Sequence, residues 1–135
     1  MFQRQRETRV KVFTPRVSEK MSDKIYEIAS SVRGYHVYRT NWIPFIGECL
    51  STALEYNNPA DKFAVAVCKG DVIVGHVPRE MSKVVHFFVK HGGSANIIIT
   101  DGHYKHSSVA GGLEIECFFR FTGSQALITK LKSLL

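Results

Sequence analysis

Hydrophobic positions along the chain follow two spacings, and the change from one to the other falls near residue 80. Before it, apolar residues come in short runs rich in β-branched and aromatic side chains, separated by turn-forming residues, as in half-buried strands. This predicts strands over residues 28–38 (with Val32, Tyr35, Val37 and Tyr38) and, after a turn around 41–44, over 45–56. Residues 63–69 and 72–77 flank Gly70-Asp71, two residues that tolerate the positive φ of a tight hairpin turn. The period then lengthens. Met81, Val84, Val85, Phe88 and Val89 recur at i, i+3, i+4, i+7 and i+8, one face of an α-helix. Pro78 suits its start, where no helical N–H is needed, and Gly92-Gly93 suits its end, where a left-handed cap costs glycine nothing.

Strand spacing returns over 95–100 and 112–121. In the second run Leu113, Ile115, Cys117, Phe119 and Phe121 alternate with Glu114, Glu116 and Arg120, so the first set faces inward. A polar, glycine-containing loop is expected over 101–111. Ser124 suits the N-cap of a closing helix with Ala126, Leu127, Leu131, Leu134 and Leu135 as its apolar stripe. About six short strands, one helix after the fourth and a C-terminal helix make a mainly β chain. Its expected form is a small, partly open β-barrel of OB-fold-like build.

Length and charge add an organisation. The 135 residues suffice for one core. Of the net charge of +6, residues 1–24 carry +4, from seven Lys/Arg against Glu7, Glu19 and Asp23. The expected division is a basic, flexible arm over 1–24, in which Arg9-Val-Lys-Val-Phe13 alternates like a short strand, then a barrel over 25–123 and an amphipathic helix over 124–135. A basic arm on a near-neutral domain suits a polyanion, since neutralising phosphates releases counterions. No apolar run approaches the roughly 20 residues that span a bilayer, and charges interrupt the first 24 residues where a signal peptide would be apolar. A soluble, intracellular protein without a membrane partner is expected. Cys49, Cys68 and Cys117 form no CxxC pair and read as reduced thiols acting as small hydrophobes.

Catalytic patterns are missing. The histidines (His36, His76, His86, His91, His103, His106) lack the HExxH spacing that sets two ligands on one helical face, and no GxSxG, Walker or Rossmann glycine pattern occurs. Asp61, Asp71 and Asp101 sit in turn-like contexts, where aspartate serves the backbone. No enzyme, cofactor, metal or small-molecule substrate is indicated. What stands out is Glu55-Tyr-Asn-Asn-Pro-Ala-Asp-Lys-Phe-Ala-Val-Ala-Val67 followed by Val74-Gly-His-Val-Pro-Arg-Glu80. Asn57 and Asn58 before Pro59 should start a turn that Asp61 caps.

These two motifs, with Gly34-Tyr35-His36-Val37-Tyr38 upstream and the helix downstream, closely resemble a HIRAN domain over residues 32–123. That module occurs at the N-terminus of SNF2-type replication-fork remodelling helicases and in stand-alone or nuclease-linked bacterial proteins. The resemblance implies a pocket for the 3′-hydroxyl end of single-stranded DNA, in DNA repair or fork processing, and hence a nuclear location. Asn58 and Asp61 fall where the family's Asn-Pro-x-Asp turn supplies polar groups to the terminal sugar, with Pro59, Ala60 and Lys62 in the same turn. Arg79, with His76 and Lys83, falls where basic residues meet phosphates, and His36 where DNA-binding members often carry arginine. An amide and a carboxylate both bond a free hydroxyl, and Asp61 would repel a 3′-phosphate.

Two positions depart from the pattern. Members that grip DNA ends place tyrosines at the positions of Val37 and Ala60, where they stack on bases. Losing both implies binding weaker by about two orders of magnitude or more. Tyr35, Tyr38, Trp42, Tyr56 and Phe63 are the available substitutes, although strand alternation would turn Val37 and Tyr38 to opposite faces. The competing expectation is an adaptor that kept the fold and lost end binding, docking a protein partner through its C-terminal helix. A metal-dependent nuclease is the third and least favoured.

Overall fold

A computed structural model describes residues 23–106 and 112–135. Residues 1–22 of the basic arm, including its Arg9–Phe13 strand, and the end of the 101–111 loop lie outside the described residues. Six strands and three helices run in the order β1 (Lys24–Arg33), α1 (Tyr35–Tyr38), β2 (Cys49–Leu54), β3 (Val65–Lys69), β4 (Val72–His76), α2 (Arg79–Lys90), β5 (Ser94–His106), β6 (Leu113–Gly123) and α3 (Gln125–Leu134). All pairings are antiparallel and close into a barrel in the order β1-β4-β3-β2-β5-β6, with β6 returning to β1. The mainly β, barrel-like expectation holds, but the barrel is closed rather than partly open.

Closure rests on two narrow seams. β1 pairs with β6 along its whole length, from Lys24↔Gly123 to Arg33↔Glu114, yet meets β4 only at Arg33↔His76. Gly75 makes that approach possible, since a Cβ there would lie 2.4 Å from Val32 Cγ1 and 2.9 Å from the Arg33 carbonyl. The other seam joins β2 to β5 through Cys49↔Ile98 and Leu50↔Ile97. Beyond it, side chains bridge the strands: Thr52 Oγ1 donates to the Ala95 carbonyl at 2.8 Å.

The core is the inward set of each strand with the apolar face of α2. Leu113, Ile115, Cys117, Phe119 and Phe121 are all buried, as their alternation requires. Phe88 of α2 enters the barrel and meets Phe121 edge to face at 5.1 Å. Each fully buried side chain of this size contributes roughly 1.5–3 kcal/mol. The α3 helix starts at Ser124, whose Oγ accepts from the Leu127 N–H at 3.2 Å. It buries Ile128 and Leu131 and half-buries Leu127, while Ala126, Leu134 and Leu135 stay exposed. The stripe is therefore narrower than expected and shifted onto Ile128.

Three stretches differ from the strand pattern. Residues 35–38 form a helical turn, because Gly34 takes a left-handed φ of 82° and reverses the chain where β1 ends. The 45–56 run is a strand only from Cys49, since Phe45 and Glu48 belong to a tight loop. The 101–106 segment, expected to be loop, continues β5, with an irregularity between Ile99 and Tyr104 that absorbs its polar residues. Cys68 and Cys117 are buried as small hydrophobes, and burial pushes the Cys117 thiol up to about 12, whereas Cys49 is exposed. Among the described residues, no helix is long and apolar enough to cross a membrane.

Candidate nucleic-acid interface

Where Arg33↔His76 closes the barrel, a cleft of about 340 Å³ opens between the end of β1, α1, the 55–61 turn, the β4–α2 junction and the start of β6. His36, Asn58, Ala60, Asp61, His76 and Arg79 all line it. Four segments distant in sequence thus bring together most of the residues singled out above. Of the others, Val37 is 62% exposed outside the cleft, and Pro59, Tyr38, Lys62 and Lys83 do not line it. Lys62 and Lys83 flank the Phe63 ring, each with Nζ 5.3 Å from its centre.

The 55–61 turn is built by its own side chains. Asn58 Oδ1 accepts from the Ala60 and Asp61 N–H groups at 2.9 and 3.2 Å, as an Asx turn does, with Pro59 fixing the backbone between them. Asp61 Oδ1 accepts from the Phe63 N–H at 2.9 Å, and its Oδ2 from Ser82 Oγ at 3.3 Å, tying the turn to α2. Arg79 Nη2 donates to the Ala60 carbonyl at 2.7 Å, a second tie. A carboxylate offers about four lone-pair sites, so Asp61 retains acceptor capacity after these two bonds. Arg79 likewise keeps guanidinium N–H groups.

Opposite the turn, His36 Nδ1 accepts from the Leu113 N–H at 3.3 Å, which leaves the proton of the neutral ring on Nε2. A Cβ on Gly112 would come within 2.5 Å of the His36 ring, so glycine lets β6 begin against it. His76 Nε2 lies 2.8 Å from Glu55 Oε1, and the Tyr38 ring is 5.9 Å from the His76 ring. Partial burial, then the nearby Glu55 carboxylate, pushes the Tyr38 hydroxyl above its ordinary pKa. Because α1 is a helical turn, Val37 and Tyr38 are not on opposite faces of a strand.

Arg33 was not anticipated. It lines the cleft, holds Glu80 through two bonds of 2.9 and 2.8 Å and reaches Glu114 at 3.5 Å. A hydrogen bond from Glu80's own N–H, with help from Arg33, keeps the Glu80 carboxyl below its usual range. Both acids are distant in sequence, so no local pattern marks the trio. Behind the turn, His86 of α2 is buried with its Nε2 unpartnered, edge-on to Phe63 at 5.4 Å and Tyr56 at 6.0 Å. Burial lowers its pKa, Lys90 lowers it further and Asp61 offsets part of this.

The aromatic substitutes divide. Trp42 is in the core, Tyr35 packs edge-on against it at 5.8 Å, and Phe63 is covered by the two lysines. Tyr56 is exposed on the far side of the turn. Among the described residues no group of three or more His, Cys, Asp or Glu could hold a metal ion.

A closed six-stranded antiparallel barrel with a helix after its fourth strand and a polar cleft at its β1–β4 seam defines a small barrel class. Solved structures place it more narrowly. The crystal structure of the HIRAN domain of human HLTF matches 82% of this chain and 88% of its own, at 15% identity and a TM-score of 0.65. The NMR structure of the HLTF HIRAN domain matches 87% and 92%, at 17% identity and a TM-score of 0.68. A crystal structure of a protein from Lactobacillus plantarum matches 73% and 97%, at 16% identity and a TM-score of 0.50. No family model and no curated protein matches the chain. The chain has a HIRAN-like fold.

Proposed function

We propose that the chain is a DNA-binding module, not an enzyme, that receives the 3′-hydroxyl end of a single strand in the β1–β4 seam cleft. Its setting would be DNA repair or replication-fork processing in the nucleus. The observation that carries this reading is the convergence of Asn58, Asp61, His36, His76 and Arg79 on one cleft in a HIRAN-like barrel. The spare acceptors of Asp61 suit a donated hydroxyl, its charge disfavours a phosphate in the same place, and the free N–H groups of Arg79 suit the phosphate one step back. Fluorescence anisotropy with a short strand ending in 3′-OH, against the same strand ending in 3′-phosphate, tests the reading. The hydroxyl end should bind more tightly at low salt. Equal binding removes end recognition, and no binding removes the DNA reading.

One observation favours a second reading, an adaptor domain. Ile43, Phe45 and Ile46 are 83%, 57% and 71% exposed on one loop, a surface suited to a protein partner. The C-terminal helix is less suited, because Ile128 and Leu131 are already committed to the barrel. Light scattering with a Phe45→Ser variant as control tests self-association through that loop.

A further inference from the structure

Apart from Arg79, the cations inside the cleft are poorly placed to hold a polyanion. Arg33 is engaged by Glu80 and Glu114, His76 faces Glu55, and Asp61 adds a further negative charge. Beyond the one phosphate that Arg79 can meet, a strand whose end enters here must find its phosphate and stacking contacts just outside. One side of the cleft provides them.

Leu113, which lines the cleft, pairs with His106, and Ile115 pairs with Tyr104. Side chains alternate along a strand, so Tyr104 and His106 project on the same face as Leu113. Tyr104 is 43% exposed and His106 is exposed beside it, their rings 6.3 Å apart. The Arg39 guanidinium lies 5.2 Å from the Tyr104 ring centre and 6.0 Å from that of Tyr35. Tyr35 lies against Tyr104 at 6.1 Å and is anchored on the buried Trp42, its hydroxyl donating to the Trp42 carbonyl at 3.2 Å. Arg39 has no carboxylate partner among the described residues. The one-turn helix α1 joins the two places: His36 bonds the Leu113 N–H at the cleft, and its neighbour Tyr35 supports Tyr104.

We propose that Arg39, Tyr104 and His106 form a second subsite, a stacking platform for a base of the single strand upstream of the end held in the cleft. The Tyr104 ring and the guanidinium plane take the base, since nucleobases stack on both, and the charge of Arg39 meets the adjoining phosphate. Tyr35 and Trp42 hold the platform rigid. The platform supplies stacking that Val37 and Ala60 do not, from a different strand of the barrel. It rests on the strand-end reading above, and it makes the ligand a strand of several nucleotides rather than a mononucleotide.

The test compares fluorescein-labelled deoxythymidine strands of about ten and about three nucleotides, both ending in 3′-OH, by anisotropy at low salt. The longer strand should bind about tenfold more tightly to the unaltered chain, since one stacked base is worth that much or more. Tyr104→Ala should lower affinity for the longer strand about tenfold and leave the shorter one unchanged, while Tyr104→Phe keeps the unaltered behaviour. Arg39→Gln should weaken the longer strand several-fold and reduce its salt dependence by the equivalent of about one phosphate contact. Tyr56→Ala, on the far side of the turn, should change neither. Thermal unfolding of each variant establishes that it folds, and Arg39→Gln decides the matter if Tyr104→Ala does not. The platform is overturned if these variants bind the longer strand as the unaltered chain does, or lose both lengths equally. If the unaltered chain binds neither length, the strand-end reading itself fails.

Discussion

The 55–61 turn and the 42–48 loop are each organised by one acidic side chain, and they end in opposite surfaces. Asp61 is half-buried, spends its carboxylate on the Phe63 N–H and Ser82, and keeps acceptor sites toward a cleft. Glu48 is 6% exposed. Its Oε1 accepts from Trp42 Nε1 at 3.0 Å and the Phe45 N–H at 3.3 Å, and its Oε2 faces Lys69 Nζ at 2.9 Å in an ion pair not aligned as a hydrogen bond. That carboxylate is enclosed rather than offered to a cleft, and the loop displays Ile43, Phe45 and Ile46 instead. One device thus yields a polar receptor where the acid is only partly used and an apolar projection where it is wholly enclosed.

The sharpest break is at Glu48. Glu48→Ala leaves a buried indole N–H and a backbone N–H without an acceptor and Lys69 without its counter-ion. Removing one partner of a buried pair costs about 3–5 kcal/mol, at the low end here because Lys69 can turn to solvent. Urea unfolding should show about 3 kcal/mol less stability. Asp61→Ala, its counterpart on the more exposed turn, should cost only about 1–2 kcal/mol.

Affinity should reverse that order. Asp61→Ala should weaken binding of a 3′-hydroxyl strand about tenfold by anisotropy and abolish the preference over a 3′-phosphate, whereas Glu48→Gln should leave both unchanged. Asp61→Asn separates the two roles of the side chain: an amide oxygen still accepts from Phe63, so stability is kept, while discrimination against the phosphate falls. Arg79→Ala should act more weakly, by a few-fold, and mainly by reducing the slope of log affinity against log salt by about one.

The same contrast accounts for what the amino-acid pattern disclosed. The 55–61 turn is legible because its bonds are local: Asn58, Pro59 and Asp61 act within five residues of themselves, apart from the ties to Ser82 and Arg79. The β6 alternation and the α2 face are legible because each repeats over several turns of its own period. Residues 45–48 of the other loop were read as part of a strand because Phe45 and Ile46 are apolar and Glu48 finds Lys69 and the Ile99 N–H only on neighbouring strands. A lone acid in an otherwise apolar run was the available signal. Arg33 and Tyr104 escaped notice for the same reason, since Glu80, Glu114, Tyr35 and Arg39 reach them through the fold.

Mild acid should distinguish the two regions once more, with the smallest effect. Behind the 55–61 turn stands His86, buried with Nε2 unpartnered and its pKa lowered, first by burial and then by Lys90, with Asp61 pulling the other way. The unfolded chain therefore binds this proton more readily than the folded one, so the neutral ring is favoured in the folded state and stability falls as pH drops below the ordinary histidine value of about 6.5. The ring touches Phe63 and Tyr56 and not the 42–48 loop. Backbone amide signals of Ala60 and Phe63 should thus shift or broaden between about pH 7 and pH 5.5, while those of Phe45 and Glu48 hold. His86→Phe fills the same space without a proton to gain and should remove the drift. If the Ala60 and Phe63 signals move equally in that variant, His86 is only packing.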